Sequence, residues 1–573
     1  MGSIGVFNKS QRTWWKDAVV YQIWPASFKD SDGDGLGDLG GILESLDHIR
    51  SLGADTLWIS PIFESPQVDL GYDISNYERI HEPYGTISDV QDIIKGCHQR
   101  EMRILLDLVV NHTSDQHAWF KESRSSKSNP KRDWYIWHPA KYECGERKPP
   151  NNWQSMFGGS AWEWDESSEE YYLHLFAHGQ PDVNWNCKSL REAMYQSAMI
   201  FWLDKGIDGF RIDTMGLFAK DASFADAPES DPQYPFNHRP ENFQILNEIH
   251  DVLAKYGNMM TVGEFGGLGD TTVAMKYVSA AERRVAMGFQ FESACLGCAL
   301  SSFNVKHFDL IDFKKPFAKW QNFIEGTDGW TTIFLENHDV ARSVSRFASD
   351  EPKFRVAAAK MLAMLQTTAT GTLFIYQGQE IGMTNIPADW SIEEYKDIST
   401  KDYWKSVTAS TNDPVKLEQA MINIRKVARD NGRTPMQWSN SLHGGFTTAK
   451  KGPWMRVNGN YTSINVEDQR KDKDSVLSFW KKLLTLRRKY IDLFAHGKFR
   501  YIDEGNNNTM SYTKSFGDEA ALVLLNFTGS EQLYGIPDDF KSATLIIANA
   551  SPLKEGSLGP FEARLYISSS NMS

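Results

Sequence analysis

The 573 residues, 41% hydrophobic and 13% aromatic, give apolar mass for several cores; at about 150 residues per domain that is about four units, or fewer if one is a large barrel. A net charge of −13 argues against a phosphate-backbone partner, because nucleic-acid affinity rests on clustered Lys and Arg. The start "MGSIGVFNKS" has no apolar run of signal-peptide length, no later run approaches membrane-spanning length, and the five cysteines (Cys97, Cys144, Cys187, Cys295, Cys298) are odd in number and scattered, so the expectation is a cytoplasmic protein with free thiols and no membrane partner.

The first predicted strand is "VVYQIW", and the run "KDSDGDGLGDLGG" follows it closely. Alternating aspartates with glycines resemble an EF-hand loop, yet the twelfth residue counted from Asp30 is Gly41 where a closing glutamate is required, and the preceding segment is a strand, not a helix. The pattern predicts a structural metal loop, with a solvated acidic turn as the alternative. Further strands are expected at "TLWISPI", "RILLDLVV", "GFRID", "MMTVGEF", "VAMGFQFE", "TTIFLENHD" and "TLFIYQGQE". Eight buried-type strands separated by helical segments of crossover length predict an α/β protein with a (β/α)8 TIM barrel. Residues 114–189, dense in Trp, Pro and Asn, are too long for a loop and read as a subdomain inserted after strand 3. The barrel then occupies 1–113 and 190–496, and the alternating short runs of 497–573 predict a C-terminal antiparallel β-sandwich domain. The pair "CLGC" has metal spacing but stands alone, so packing by two small residues is the expectation there.

Barrel enzymes carry catalytic groups at the C-terminal ends of their strands. Here strand 3 leads to Asp107, Asn111 and His112, strand 4 to Arg211 and Asp213, strand 5 to Glu264, and strand 7 to Glu336, Asn337, His338 and Asp339. One such carboxylate is ordinarily a helix cap; four strands ending this way point to paired-carboxylate chemistry. Arg211, two residues before Asp213 on one strand face, suits Asp213 as a charged nucleophile, and Glu264 beside Phe265 suits a protonated general acid. Asp339 is left to steady the transition state. The histidines His81, His98 and His117 are expected to be ordinary packing or surface residues.

The segments "DLVVNH", "GFRID", "VGE" and "ENHD", in this order, resemble the four signature regions of the α-amylase family, glycoside hydrolase family thirteen. "SPQVDLGYDISNY", "FGGSAW", "YQGQEIG" and "RTPMQW" are similar to the fungal maltase and isomaltase α-glucosidases within it. The resemblance implies a retaining, exo-acting α-glucosidase with Asp213 as nucleophile, Glu264 as acid/base and Asp339 as stabiliser. It implies that His112, His338 and Arg211 bind the cleaved glucose, that Tyr72 stacks on it, and that Asp69 and Arg433 close the pocket behind it. It also implies structural Ca2+ held by Asp30, Asp32, Asp34, the Leu36 carbonyl and Asp38. Thr214 after the nucleophile matches the α-1,4-preferring members, which favours maltose and sucrose as small oligosaccharide substrates, while the bulk of Met215 and Phe265 is expected to shape the leaving-group side. Trp134, Trp137, Trp153, Trp162 and Trp164 are candidates either for a sugar path or for the core of the insert. The other readings are an isomaltase, a sucrose isomerase or transglucosidase with the same trio, and a non-catalytic binding module; the oligomeric state stays open.

Overall fold

The computed structural model describes residues 13–296, 303–551 and 554–569. Eight parallel strands form its centre: β1 (Val19–Ile23), β2 (Thr56–Ile59), β3 (Arg103–Leu108), β4 (Gly209–Ile212), β5 (Met260–Glu264), β6 (Met287–Phe289), β7 (Thr332–Ile333) and β8 (Thr372–Tyr376). Each coincides with one of the apolar runs. Such strands are buried on both faces, which is why they read as continuous runs instead of alternating ones. The spatial order is β6-β5-β4-β3-β2-β1-β8-β7, and the ring closes where the Thr332 hydroxyl donates to the Gly288 carbonyl at 3.0 Å. Two glycines let large side chains into the wall: a Cβ on Gly263 would lie 2.1 Å from the Met215 sulfur, and one on Gly288 would lie 2.4 Å from the Phe265 ring.

After β3 the chain leaves the barrel to build the insert, with helix Ala118–Ser125 and a three-stranded antiparallel sheet of Trp137–His138, Glu170–Leu173 and Trp162–Asp165. Its core holds Trp153, Trp162 and Tyr171, and the irregular segment after β4 joins it through Leu217, Ala227 and Phe236. This second contribution carries no periodicity, so sequence patterning does not mark it.

The last described segment forms an antiparallel sheet of β9 (Lys498–Tyr501), β10 (Thr509–Phe516), β11 (Glu519–Asn526), β12 (Thr544–Ala548) and β13 (Ala563–Ser569), ordered β9-β10-β11-β13-β12. Met510, Tyr512, Val523 and Leu525 on one face belong to the barrel's own core cluster. Leu522, Leu524 and Tyr566 on the other pack under Phe540 and Leu558, the latter from a two-stranded ribbon. Lys514 fastens the sheet to the barrel, donating to the Thr370 hydroxyl and, at 2.7 Å, to the Gly497 carbonyl, while within the barrel the buried Arg487 of helix Val476–Lys489 donates to the carbonyls of Thr367 (2.7 Å) and Ala369 (2.9 Å) at the C-terminus of helix Arg355–Thr368. Unmatched carbonyls and the negative end of the helix dipole supply the partner that no carboxylate supplies. Cys298, the second cysteine of "CLGC", lies outside the described residues.

Candidate active site

The strand ends converge. Asp213, immediately after β4, and Glu264, the last residue of β5, both bond to one guanidinium: Arg211 Nη1 donates to Asp213 Oδ1 at 2.7 Å, and its Nη2 donates to Glu264 Oε1. The same Nη1 reaches Asp107 Oδ1 at 2.6 Å, so three buried carboxylates share a single cation. Asp107 also accepts from the Trp58 indole at 3.1 Å; it is a buried anchor for Arg211 on β3. Thr214 bridges the other sides of the pair, its hydroxyl on Asp213 Oδ2 and its backbone N–H on Glu264 Oε2, both at 3.2 Å. It does so in the left-handed region, at φ 42°, a costly conformation for a β-branched residue.

One cation cannot balance three carboxylates in a dry site. Burial is the largest effect on both partners and pushes Asp213 and Glu264 up to about 7, against the pull of Arg211. The pair therefore holds one proton between its two members around neutral pH, which is the protonation state that one nucleophile and one general acid require. Asp107 is likewise pushed up by burial, to about 6.

Asp339 sits in the opposite electrostatic setting. Despite burial its carboxyl is held well below the usual range by His338 first, then Arg429 and Arg433. Both arginines reach Asp339 Oδ1 at 3.2 Å, and His338 Nε2 lies 3.1 Å from Oδ2. His338 is fixed by Gln22, whose Nε2 is 2.8 Å from Nδ1, and by a stack of rings, with Tyr72 and Trp24 at 5.4 and 5.3 Å. His112 Nε2 donates to the Tyr72 carbonyl at 3.1 Å, and burial lowers its pKa to about 4, so it meets a ligand as a neutral ring.

These groups line a cavity of about 880 Å³, counting its open mouth. Asp69, Tyr72, His112, Asp213, Thr214, Glu264, His338 and Asp339 all border it. Arg211 lies beneath the carboxylates. Arg433 does not line the cavity: it is 1% exposed, lies over the Trp24 ring, and donates to the His338 carbonyl and to Asp397. The arginine that faces Asp69 and lines the cavity is Arg429, at 3.3 Å, so the place expected for Arg433 is taken by the residue four positions earlier. Arg429 precedes the single turn Asp430–Arg433 and Arg433 ends it, and an i, i+4 spacing puts both on one side, where sequence cannot rank them.

Other expectations change as well. Met215 is fully buried against Gly263 and does not reach a leaving group. Phe265 borders the cavity, but its ring stacks on Trp320 at 5.7 Å. None of the five tryptophans borders it; the insert contributes Met156, Phe157 and Phe176 instead. Phe176 lies 5.1 Å from His112, and Arg429 lies over Phe157 at 5.3 Å. Phe157 sits in the loop "MFGGS" and Phe176 just after strand Glu170–Leu173, and no spacing singles either out. Glu336 is structural, accepting from Ser343 N at 2.8 Å at the start of helix Ser343–Phe347 and pairing with Arg342 at 3.2 Å.

In the acidic loop, Asp30, Asp32 and Asp38 bring carboxylate oxygens within 4.8 Å of one another. The Asp34 carboxylate instead accepts from the Leu36 N–H at 2.7 Å.

Residues 22–497 match the family described as alpha amylase, catalytic domain. An α-glucosidase of Candida albicans is 49% identical, over 97% of this chain and 100% of its own. An oligo-1,6-glucosidase of Parageobacillus thermoglucosidasius is 44% identical, over 97% and 99%. The crystal structure of trehalulose synthase MutB from Pseudomonas mesoacidophila aligns with a TM-score of 0.90 at 37% identity, covering 97% of this chain and 99% of that one. With its carboxylate trio on the rim of an eight-stranded barrel and a family match over most of its length, the chain belongs to the α-amylase family of glycoside hydrolases.

Proposed function

We propose that the protein is a retaining α-glucosidase that removes one glucose at a time from the non-reducing end of short maltose-type α-glucosides, sucrose included, and passes part of it to sugar acceptors. The observation that carries this is the ion pair of Asp69 and Arg429, 3.3 Å apart and lining the same cavity as the trio, which in this reading closes the pocket behind a terminal ring. Asp213 attacks the anomeric carbon from below while Glu264 gives its proton to the departing oxygen. The resulting glucosyl ester on Asp213 is opened by water, whose proton returns to Glu264, and two inversions preserve the α configuration. Asp339, kept ionised by His338 and the two arginines, faces the positive charge that grows on the ring.

Thr214 supports α-1,4 preference, and its hydroxyl acts on the nucleophile directly. The 44% identity to an oligo-1,6-glucosidase makes isomaltose the competing substrate. Proton NMR of the purified protein on equimolar maltose and isomaltose separates the two: early α-glucose with maltose consumed first is the expected result, and first loss of isomaltose or early β-glucose overturns the linkage or the stereochemistry.

The acidic loop fits structural Ca2+, since its clustered donors are hard carboxylate oxygens, with Asp30, Asp32, Asp34, Asp38 and the Leu36 carbonyl as the ligand set. An ion there would supply an electrostatic cross-link among these carboxylates. The same reading makes the enzyme cytoplasmic, supported by free thiols at Cys97, Cys144 and Cys187. Among the described residues no helix is long and apolar enough to cross a membrane.

A further inference from the structure

Behind Asp339 lies a carboxylate that touches no substrate. Asp397 is completely buried and precedes helix Ile398–Ser410. Its Oδ1 caps that helix, accepting from Ser399 N at 3.0 Å and Thr400 N at 3.4 Å. Its Oδ2 accepts from both arginines of the site, Arg429 Nη2 at 2.7 Å and Arg433 Nη1 at 2.8 Å. The same two guanidiniums reach Asp339 Oδ1 at the longer distance of 3.2 Å each.

The geometry points to Asp397 as a positioning residue that sets how much negative charge Asp339 presents to the glucosyl ring. Two cations facing Asp339 alone would close on it and neutralise it, and a neutralised Asp339 has little to offer a ring that turns positive. With Asp397 behind them, the arginines are drawn back by about half an ångström relative to a tight pair, and their charge is divided between two carboxylates. Asp69, 3.3 Å from Arg429, shares in the same balance at the pocket floor. The helix cap fixes where Asp397 stands, so the charge of Asp339 is set by a residue anchored on a helix N-terminus.

This inference rests on Asp339 acting as the stabilising carboxylate. Asp339→Asn tests that premise separately: a collapse of kcat upholds it, and near-normal kcat removes both ideas. For Asp397→Asn, which keeps the size and the cap acceptor, the expected loss in kcat is on the order of 10- to 100-fold with KM nearly unchanged. Inhibition by a cationic iminosugar should weaken by a similar factor, while binding of neutral glucose stays within about twofold. Thr400→Val removes a hydroxyl that donates to Asp430 at the same helix start without touching either arginine, so it controls for local loosening. If Thr400→Val reproduces the loss, or if Asp397→Asn weakens glucose and iminosugar equally, the role of Asp397 is structural support and the inference fails.

Discussion

At the scale of single residues, the shared proton of Asp213 and Glu264 governs behaviour against pH. A second proton blocks the nucleophile and loss of the first disables the acid, so kcat/KM should follow a bell centred near neutral pH, with the alkaline limb absent in Glu264→Gln assayed on a substrate with an activated leaving group. The same shift has a stability consequence of defined sign. Asp213 is raised from 3.8 to about 7 by burial, so between those values the folded protein holds a proton that the unfolded chain has released. Its contribution is therefore fully favourable below about pH 4 and lost as pH rises through 7. Asp213→Asn, permanently neutral, should melt a few °C above the wild type at pH 8 and with it at pH 4, while being inactive; an equal gain at both pH values in calorimetry would contradict a charge origin. The residues of this trio were legible because each ends an apolar run. Arg429, Phe157 and Phe176 were not, since what selects them is a direction of approach in space and their sequence neighbours offer equivalent candidates.

At the scale of elements, the eight strands are readable because a strand buried on both faces has only one way to be written, and the acidic loop because few other contexts alternate Asp and Gly. In the insert the core alternative wins for a physical reason. A small unit needs large side chains for a core, so its tryptophans turn inward and leave the cavity wall to Phe157 of a glycine-rich loop and to Phe176. The acidic loop ties distant parts of the chain: Asp30 N donates to the Phe446 carbonyl at 3.0 Å, and Trp454 N to that of Gly35 at 2.8 Å. Chelation, or Asp34→Ala, should thus lower the melting temperature without moving the pH–rate profile; a moved profile with unchanged melting would refute a structural ion.

At the scale of the whole molecule, the C-terminal sheet is one wall of the barrel's own core. Removal of residues 498–573 bares the core surface that faces Met510, Tyr512, Val523 and Leu525, so the truncated chain should be recovered as aggregate and not as a weakened enzyme; a soluble, active fragment would show that the two parts fold independently. The cavity, finally, imposes an order on traffic. In the proposed mechanism the glucosyl ring stays in the cavity lined by Asp69 and Arg429, as an ester on Asp213, after the rest of the substrate has gone. The departing sugar must clear the cavity before anything replaces it, and whatever enters next meets the ester first. Water and a second sugar then compete for that ester beside apolar side chains that include Phe157 and Phe176, so on the proposed mechanism a rising sugar concentration moves the enzyme from taking oligosaccharides apart towards lengthening them.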